Sequence, residues 1–504
     1  MLSDCMTAAL GVNITQHVQS SCSPDKTIPQ HLHKLTEHSY QLSLPRISPM
    51  ADLSHTCTTR FSRIRMSECF AEILPVELLQ EVFFEYCREM VPIIRGRAGP
   101  LRLSHVCGRW RQVAISTPGL WARMSVELDR HRSHHSSPAL LKLWLQRSLP
   151  LPIALYIVGS ATPDPPAGTN ILLAILLEHI HRWGHLHWSI KDNNTAEQFL
   201  QYSIAKETVL ESLDIRIWRR CSDDQIERFP LVLRSFKHLR RLTYYARDMP
   251  MALFSLPLIQ LTHLNLSCAI PMDACQRLLT RCPNLVELSV MDIQGPVADI
   301  SATKIALPDL TSCSLNSFQC NIGTLLAQLI CPKVRSLSLH CPCSLHGDWR
   351  NFDTFFTQSR CHPEIFTFYD AETLDDDLAC LLAMPNLQLV WKLNLICHNL
   401  SDQTLAVLTG GGSYAPALPL LRALRLSPCY STDGKLAEMI SSRWNGIPNS
   451  PGYPLVYAEV DFGLPSLTSD LEEERRAAIH KAHKEDIMCF RRVKDEGLVL
   501  SCFY

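Results

Sequence analysis

LTHLNL (261–266), LVELSV (285–290), LTSCSL (310–315) and VRSLSL (334–339) repeat one phrase, with apolar residues at positions 1, 4 and 6. LRRLTY (239–244) opens the series, and the five copies start 22, 24, 25 and 24 residues apart. Looser copies stand at LESLDI (210–215), VWKLNL (390–395) and LRALRL (421–426). Alternation over the last positions of the phrase is the pattern of a strand with one buried face. Segments of helical spacing fall between the phrases: DACQRLLTRC (273–282), IGTLLAQLIC (322–331), LDDDLACLLAM (374–384) and SDQTLAVLTG (401–410). Proline introduces several strands, as in CPNL (282–285) and CPKV (331–334). One strand–turn–helix unit cannot bury its own apolar face, so units with a period of about 20–29 residues stack around a shared core. The phase slips between 334 and 390, where EIFTFYD (364–370) reads as a strand. LVYAEVDF (455–462) reads as a last strand. DLEEERRAAIHKAHKEDIMCFRRV (470–493) reads as one charged helix that caps the open end of the stack.

Upstream, ALLKLWLQRSLPLPIALYI (139–157) gives a helix, a proline turn and a strand, and ILLAILLEHIHRWGHLHWSI (171–190) repeats that order. Before them lies a different texture. In ILPVELLQEVFFEYC (73–87) the residues Val76, Leu79, Val82, Phe83 and Tyr86 recur at helical spacing, behind a proline placed for a first turn. LRLSHVCGRWRQVA (101–114) predicts a second helix with Leu103, Val106, Trp110 and Val113 on one stripe, and Thr117-Pro118 opens a third, short one. So small a bundle needs a partner or the following domain to complete its core. Residues 1–68 show little periodicity and read as a loosely ordered tail.

The chain has 504 residues, room for about three domains or one small domain and a repeat array. With 46% hydrophobic and 19% charged residues it is a folding sequence. A net charge of -1 gives no global field for nucleic acid or an acidic membrane surface. No apolar run approaches the roughly 20 residues that span a bilayer, and the first residues make a poor signal peptide. The 21 cysteines form no C-x-x-C pair and sit largely in apolar runs, Cys380 between Leu378 and Leu381 among them. They read as small buried hydrophobes of a reducing compartment, cytoplasmic or nuclear.

Residues 73–121 resemble an F-box, and their setting resembles the F-box-like proteins of mushroom-forming fungi. The matching residues are Leu74-Pro75 with Glu77-Leu78, Val82-Phe83, Val106-Cys107 with Trp110-Arg111, and Pro118 with Leu120-Trp121. Residues 140–157 resemble the stretch that comes after the F-box in those proteins; the heptad-patterned helix that many carry before it has no counterpart in residues 1–68. The expected architecture is α/β: a tail (1–68), an F-box-like helical domain (69–128), a leucine-rich-repeat-like solenoid (129–469), and a capping helix with tail (470–504). The resemblance implies docking on a Skp-family adaptor and a cullin–RING ubiquitin ligase, with the repeats holding an unknown protein substrate. It places Leu74, Pro75, Leu78, Val82, Phe83, Val106 and Trp110 at or near the adaptor interface; the same residues read equally well as the core of the bundle. The alternative is a repeat scaffold without a ligase.

In each phrase the residues between the leucines point out of the concave face. That face is expected to carry Arg241 and Tyr245 at one end. Next come His263 and Asn265, Glu287 and Ser289, Ser312 and Ser314, and Ser336 and Ser338. Lys392, Asn394 and Arg425 complete it. Chemistry finds little footing. No local signature supports a catalytic Cys–His pair. His340, Cys341, Cys343 and His346 are too compact for the two separated pairs of common zinc sites. His131, His134 and His135 read as linker, Gly410–Gly412 lack a phosphate-loop continuation, and Asp375–Asp377 read as a helix start. No enzyme activity, cofactor, metal, nucleic acid or membrane is expected.

Overall fold

A computed structural model of the chain describes residues 74–88, 99–128, 136–159, 169–201, 208–218, 221–295, 304–318, 320–341, 349–370, 372–398, 400–409, 416–444, 454–463 and 472–503. The expected tail at 1–68, the histidines at 131, 134 and 135, Cys343, His346 and Gly410–Gly412 lie outside these residues. Contacts divide the chain into two compact units, one of residues 74–88 with 99–117, the other running from Pro118 onward.

Among the described residues the first unit holds three helices, α1 (Val76–Arg88), α2 (Pro100–Ser104) and α3 (Gly108–Ile115). On α1 the buried residues are Leu79 and Phe83, one turn apart, while Val76 is 42% exposed. The expected stripe through Val76 is therefore rotated, because the core is fixed by one large contact: the Phe83 ring meets Trp110 edge-on at 4.9 Å. Burying two such side chains is worth roughly 1.5–3 kcal/mol each. The single helix expected over 101–114 is in fact two. Cys107 takes an extended backbone (φ -153°, ψ 174°) and its Sγ accepts from the Trp110 amide at 3.4 Å, so it caps α3 and ejects Val106 into the turn. Arg109 ties the unit together by donating to the Leu74 carbonyl, and Gln80 donates to Thr117 Oγ1 at 3.0 Å.

The second unit is built on a fourteen-stranded, all-parallel sheet whose spatial order follows the chain. Its first strands are β1 (Arg123–Glu127), β2 (Ile153–Val158), β3 (Trp183–Ile190), β4 (Ser212–Ile217), β5 (Arg241–Asp248), β6 (His263–Pro271) and β7 (Glu287–Gln294). A two-residue β8 (Ile305–Ala306) is followed by β9 (Ser312–Asn316), a short β10 (Leu329–Ile330), β11 (Ser336–His340), β12 (Ile365–Asp370), β13 (Lys392–Cys397), β14 (Ala423–Cys429), β15 (Tyr457–Phe462) and β16 (Val499–Phe503). β8 and β10 pair with each other outside the main sheet. Helices that fill the crossovers are α4 (Pro138–Arg147), α5 (Thr169–Glu178), α6 (Asn193–Gln201), α7 (Asp223–Leu233), α8 (Met272–Thr280), α9 (Gly323–Leu326), α10 (Trp349–Ser359), α11 (Asp375–Leu382), α12 (Asp402–Thr409), α13 (Lys435–Trp444), α14 (Glu472–Ala482) and α15 (Lys484–Asp495).

Every quoted phrase lies on a strand, and its inward leucines form a continuous ladder. Leu242, Leu264, Leu288, Cys313, Leu337, Phe366, Leu393 and Leu424 are paired in register across eight strands. None is more than 2% exposed. The phase slip after 334 has a simple cause: β12 keeps the register but carries Phe366 and Phe368 in the leucine positions, and the longer helix α10 widens the crossover before it. Cysteines behave as small hydrophobes at Cys268, Cys275, Cys282, Cys313, Cys331, Cys397 and Cys429. Cys380 does not: it is exposed, because α11 turns Leu378, Leu381 and Leu382 inward and leaves position 380 on the other side. At the carboxyl end the single helix expected over 470–493 breaks at His483, and the segment after it adds the further strand β16 beside β15. Among the described residues, no helix is long and apolar enough to cross a membrane.

Candidate protein-binding surface

The outward positions of the strands line up into columns on the open face of the sheet. One column runs Arg241, His263, Glu287, Ser312, Ser336, Ile365, Lys392, and the next runs Thr243, Asn265, Ser289, Ser314, Ser338, Thr367, Asn394, Arg425. All the concave-face residues expected from the phrases, with Tyr245 one position further along β5, thus share this face. Arg241, Tyr245 and Glu287 are exposed; His263, Asn265, Ser289, Ser312, Ser314, Ser336, Ser338, Lys392, Asn394 and Arg425 are half-buried among their neighbours. The serines form a small-residue stretch in the middle of this face.

Larger groups stand at either end. On β3 and β4, His187 Nδ1 lies 2.8 Å from Asp214 Oδ2, and Arg216 Nε lies 3.4 Å from Asp214 Oδ1. Burial pushes the Asp214 carboxyl up, but the hydrogen bond to His187 and the Arg216 charge outweigh it, and the net effect holds its pKa below the ordinary value. Just past these strands Trp218, 45% exposed, leans on Tyr245 with ring centroids 6.1 Å apart, under the Lys191 ammonium. Exposed Trp, Tyr and Arg together are the side chains that most often anchor protein interfaces. At the other end Arg425 pairs with Glu459 at 3.3 Å. Sequence reading missed the Trp218 cluster, because residue 218 lies one position beyond β4.

In the first unit, Pro75, Leu78 and Val82 follow i, i+3, i+7 spacing and so share one flank of α1. Pro75 is exposed, Leu78 is 53% exposed and Val82 is half-buried. Val106 is 38% exposed, Leu74 is half-buried, and Phe83 and Trp110 are the core. The seven residues named from sequence therefore split into an outward set and an inward pair.

Of the groups weighed for chemistry in the sequence, His340, Cys341 and Asp375–Asp377 lie within the described residues. His340 faces the open side and Cys341 is buried. Burial pushes the His340 imidazole down to about 4, so it is neutral at neutral pH. Buried thiols such as Cys275 and Cys313 are pushed up to about 12 by desolvation, which suppresses the nucleophilic thiolate. Asp433, His483 and Asp486 bring three ligand-type atoms together within 4.8 Å. The Oδ1 atoms of both aspartates are engaged: Asp486 Oδ1 accepts the Gly434 and Ala437 amides at 3.1 and 2.7 Å, and Asp433 Oδ1 accepts the Glu485 and Asp486 amides at 2.8 and 3.2 Å. This is a pair of reciprocal helix caps.

His340 makes a pH prediction. The folded imidazole titrates near 4 and an unfolded one near 6.5, so the unfolded chain binds the extra proton between those values. Its contribution to stability is complete above pH 6.5 and is lost as pH falls toward 4. Urea midpoints between pH 7.5 and 4.5 should fall more steeply for the wild type than for His340→Gln. Parallel slopes would refute the assignment.

No family model matches the chain, and no curated protein matches it. A solved leucine-rich-repeat protein of Leptospira interrogans is similar at 10% identity over 73% of this chain and 90% of that one, with a TM-score of 0.32. The class of the second unit follows from its own sheet: fourteen parallel strands in chain order, each followed by a crossover, make a leucine-rich-repeat-like solenoid.

Proposed function

We propose that the chain is a substrate-recognition subunit of a Skp–cullin–F-box type ubiquitin ligase. In this reading the first unit docks on a Skp-family adaptor through the Pro75, Leu78, Val82 flank with Val106 beside it. The open face of the solenoid holds a protein substrate, anchored at Trp218 and Tyr245. The chain contributes position and no bond chemistry. The observation that supports the docking half is the division of labour inside the small bundle. Phe83 and Trp110 are buried together with Leu79, Leu103 and Val113, while Leu78 and Val106 are apolar and stand exposed. Exposed apolar side chains at helical spacing are what a helix-in-groove interface uses.

The test is capture of a purified Skp-family adaptor by the full chain and by a Pro75→Ala/Leu78→Ala variant. Both substitutions fall on exposed positions, so circular dichroism should be unchanged while adaptor affinity drops at least tenfold. Absence of capture by well-folded wild type sinks the ligase reading and leaves a repeat scaffold for protein binding.

A further inference from the structure

Past the two outward positions that alternation assigns to each strand, the carboxyl ends of β5–β12 carry a third row. Register shifts in β5–β7 bring Asp248, Ala269 and Asp292 side by side. Further along, Asn316, His340 and Tyr369 are in register. The halves meet where Val290 pairs with Leu315, with Asn316 one residue beyond that pair and Asp292 two. Ala269 offers nothing past Cβ, so the Asp248 and Asp292 carboxylates flank a gap of two strand spacings, about 10 Å.

Two buried acceptor atoms of this row lack donors. Asn316 alternates with Ser312 and Ser314 and so projects to the open face; it is 6% exposed and its Oδ1 has no hydrogen-bond partner. Asp292 Oδ1 is likewise buried and unpartnered, while Oδ2 accepts from Gln294 at 2.8 Å. Asp248 faces the exposed Arg247 guanidinium at 3.6 Å. Beyond Asn316 stands a ring wall: Phe318, 38% exposed, lies edge-on to His340 at 5.4 Å, and His340 lies 3.7 Å from Tyr369. Carboxylates, an amide oxygen and aromatic faces are all electron-rich, and a cationic donor on an apolar stem complements every one of them.

We infer that this row receives an arginine or lysine side chain of the protein segment held on the open face, with Asp292 and Asn316 taking its N–H donors. Asp248 adds attraction from the far side of the gap, and Phe318 and Tyr369 pack against the stem. The inference rests on the reading of the open face as the substrate surface, and it names the chemistry of the substrate: basic at one position.

Fluorescein-labelled (Gly-Ser-Arg)4 and (Gly-Ser-Glu)4 peptides, titrated into the full chain and followed by anisotropy, test it. The arginine peptide should bind at least tenfold tighter, and Asp248→Asn/Asp292→Asn should remove most of that preference. Asp223→Asn/Asp376→Asn changes net charge equally at exposed helix starts and should leave the preference intact. Equal binding of the two peptides by wild type overturns the inference, as does an arginine preference that survives the Asp248/Asp292 change. Adaptor capture measured on the same variants separates the two readings. Capture without arginine preference overturns this inference alone, and the reverse overturns the ligase reading alone.

Discussion

Arg443→Met is expected to cost the carboxyl-terminal repeats about 4 kcal/mol, by the balance of buried hydrogen bonds to a charged donor. Arg443 is 3% exposed at the end of α13. Its Nε donates to the Leu408 carbonyl at 2.7 Å and Nη1 to the Leu418 carbonyl at 2.8 Å, while Nη2 reaches the Leu408 and Ala417 carbonyls. Burial pushes the guanidinium down to about 10, so it stays charged at neutral pH. One planar group thereby closes the carboxyl end of α12 and holds Leu418, a buried residue with φ 55°, in the left-handed region that side chains avoid. Methionine fills much of the same volume, so the loss is one of donors: three carbonyls are left buried, at about 1–3 kcal/mol each before water enters. Lysine keeps the charge but presents one compact ammonium for a planar fork and should recover less than half. Because repeats couple mainly to their neighbours, hydrogen exchange should quicken by roughly a thousandfold in α12, α13 and β14 and stay unchanged in β3–β6. Uniform quickening along the solenoid, or none, would contradict this.

Arg182 repeats the device near the other end of the sheet. It is 6% exposed and donates to the Leu145 and Leu151 carbonyls and to Ser148 Oγ, closing the end of α4 as Arg443 closes α12. Neither arginine is visible as structural in the sequence.

That contrast marks how far the sequence could be read. The ladder from Leu242 to Leu424 was legible because each inward position is set locally, by alternation within one phrase. Where aromatic residues took those positions, at Phe366 and Phe368, the strand remained but its kinship to the phrase was hidden. On α1, spacing alone admitted Val76 to the buried stripe; the Phe83–Trp110 contact, which sets the rotation, joins residues 27 positions apart and has no local signature. Alternation also supplied the open-face residues from Arg241 to Arg425. It stopped short of Asp248, Asp292 and Asn316, since the shifts that align Asp248 with Ala269 and Asp292 depend on neighbouring strands. The row best suited to a charged partner is thus written in register, which a single phrase does not contain.

Asp486→Ala should be the second large effect, about 3 kcal/mol, for a comparable reason. The carboxylate is fully buried, accepts the Gly434 and Ala437 amides at the start of α13, and lies 3.0 Å from His483 Nδ1. Asp433 reciprocates by accepting the first amides of α15. Gly434 completes the lock: at φ 88° it adopts a left-handed backbone, and a Cβ there would sit 2.7 Å from Glu485 Oε2. Removing Asp486 strands two amides and a histidine, so α15 and β16 should lose their exchange protection together while β3–β7 keep theirs. Asp433→Ala, at an exposed cap, should cost about 1 kcal/mol. The double variant should cost less than the sum, because a detached α15 leaves Asp433 nothing to cap. The same cycle decides between caps and a metal centre at these three residues. Caps require the melting temperature to be indifferent to zinc and to EDTA in every variant. A metal centre requires stabilisation by zinc in the wild type that Asp486→Ala abolishes.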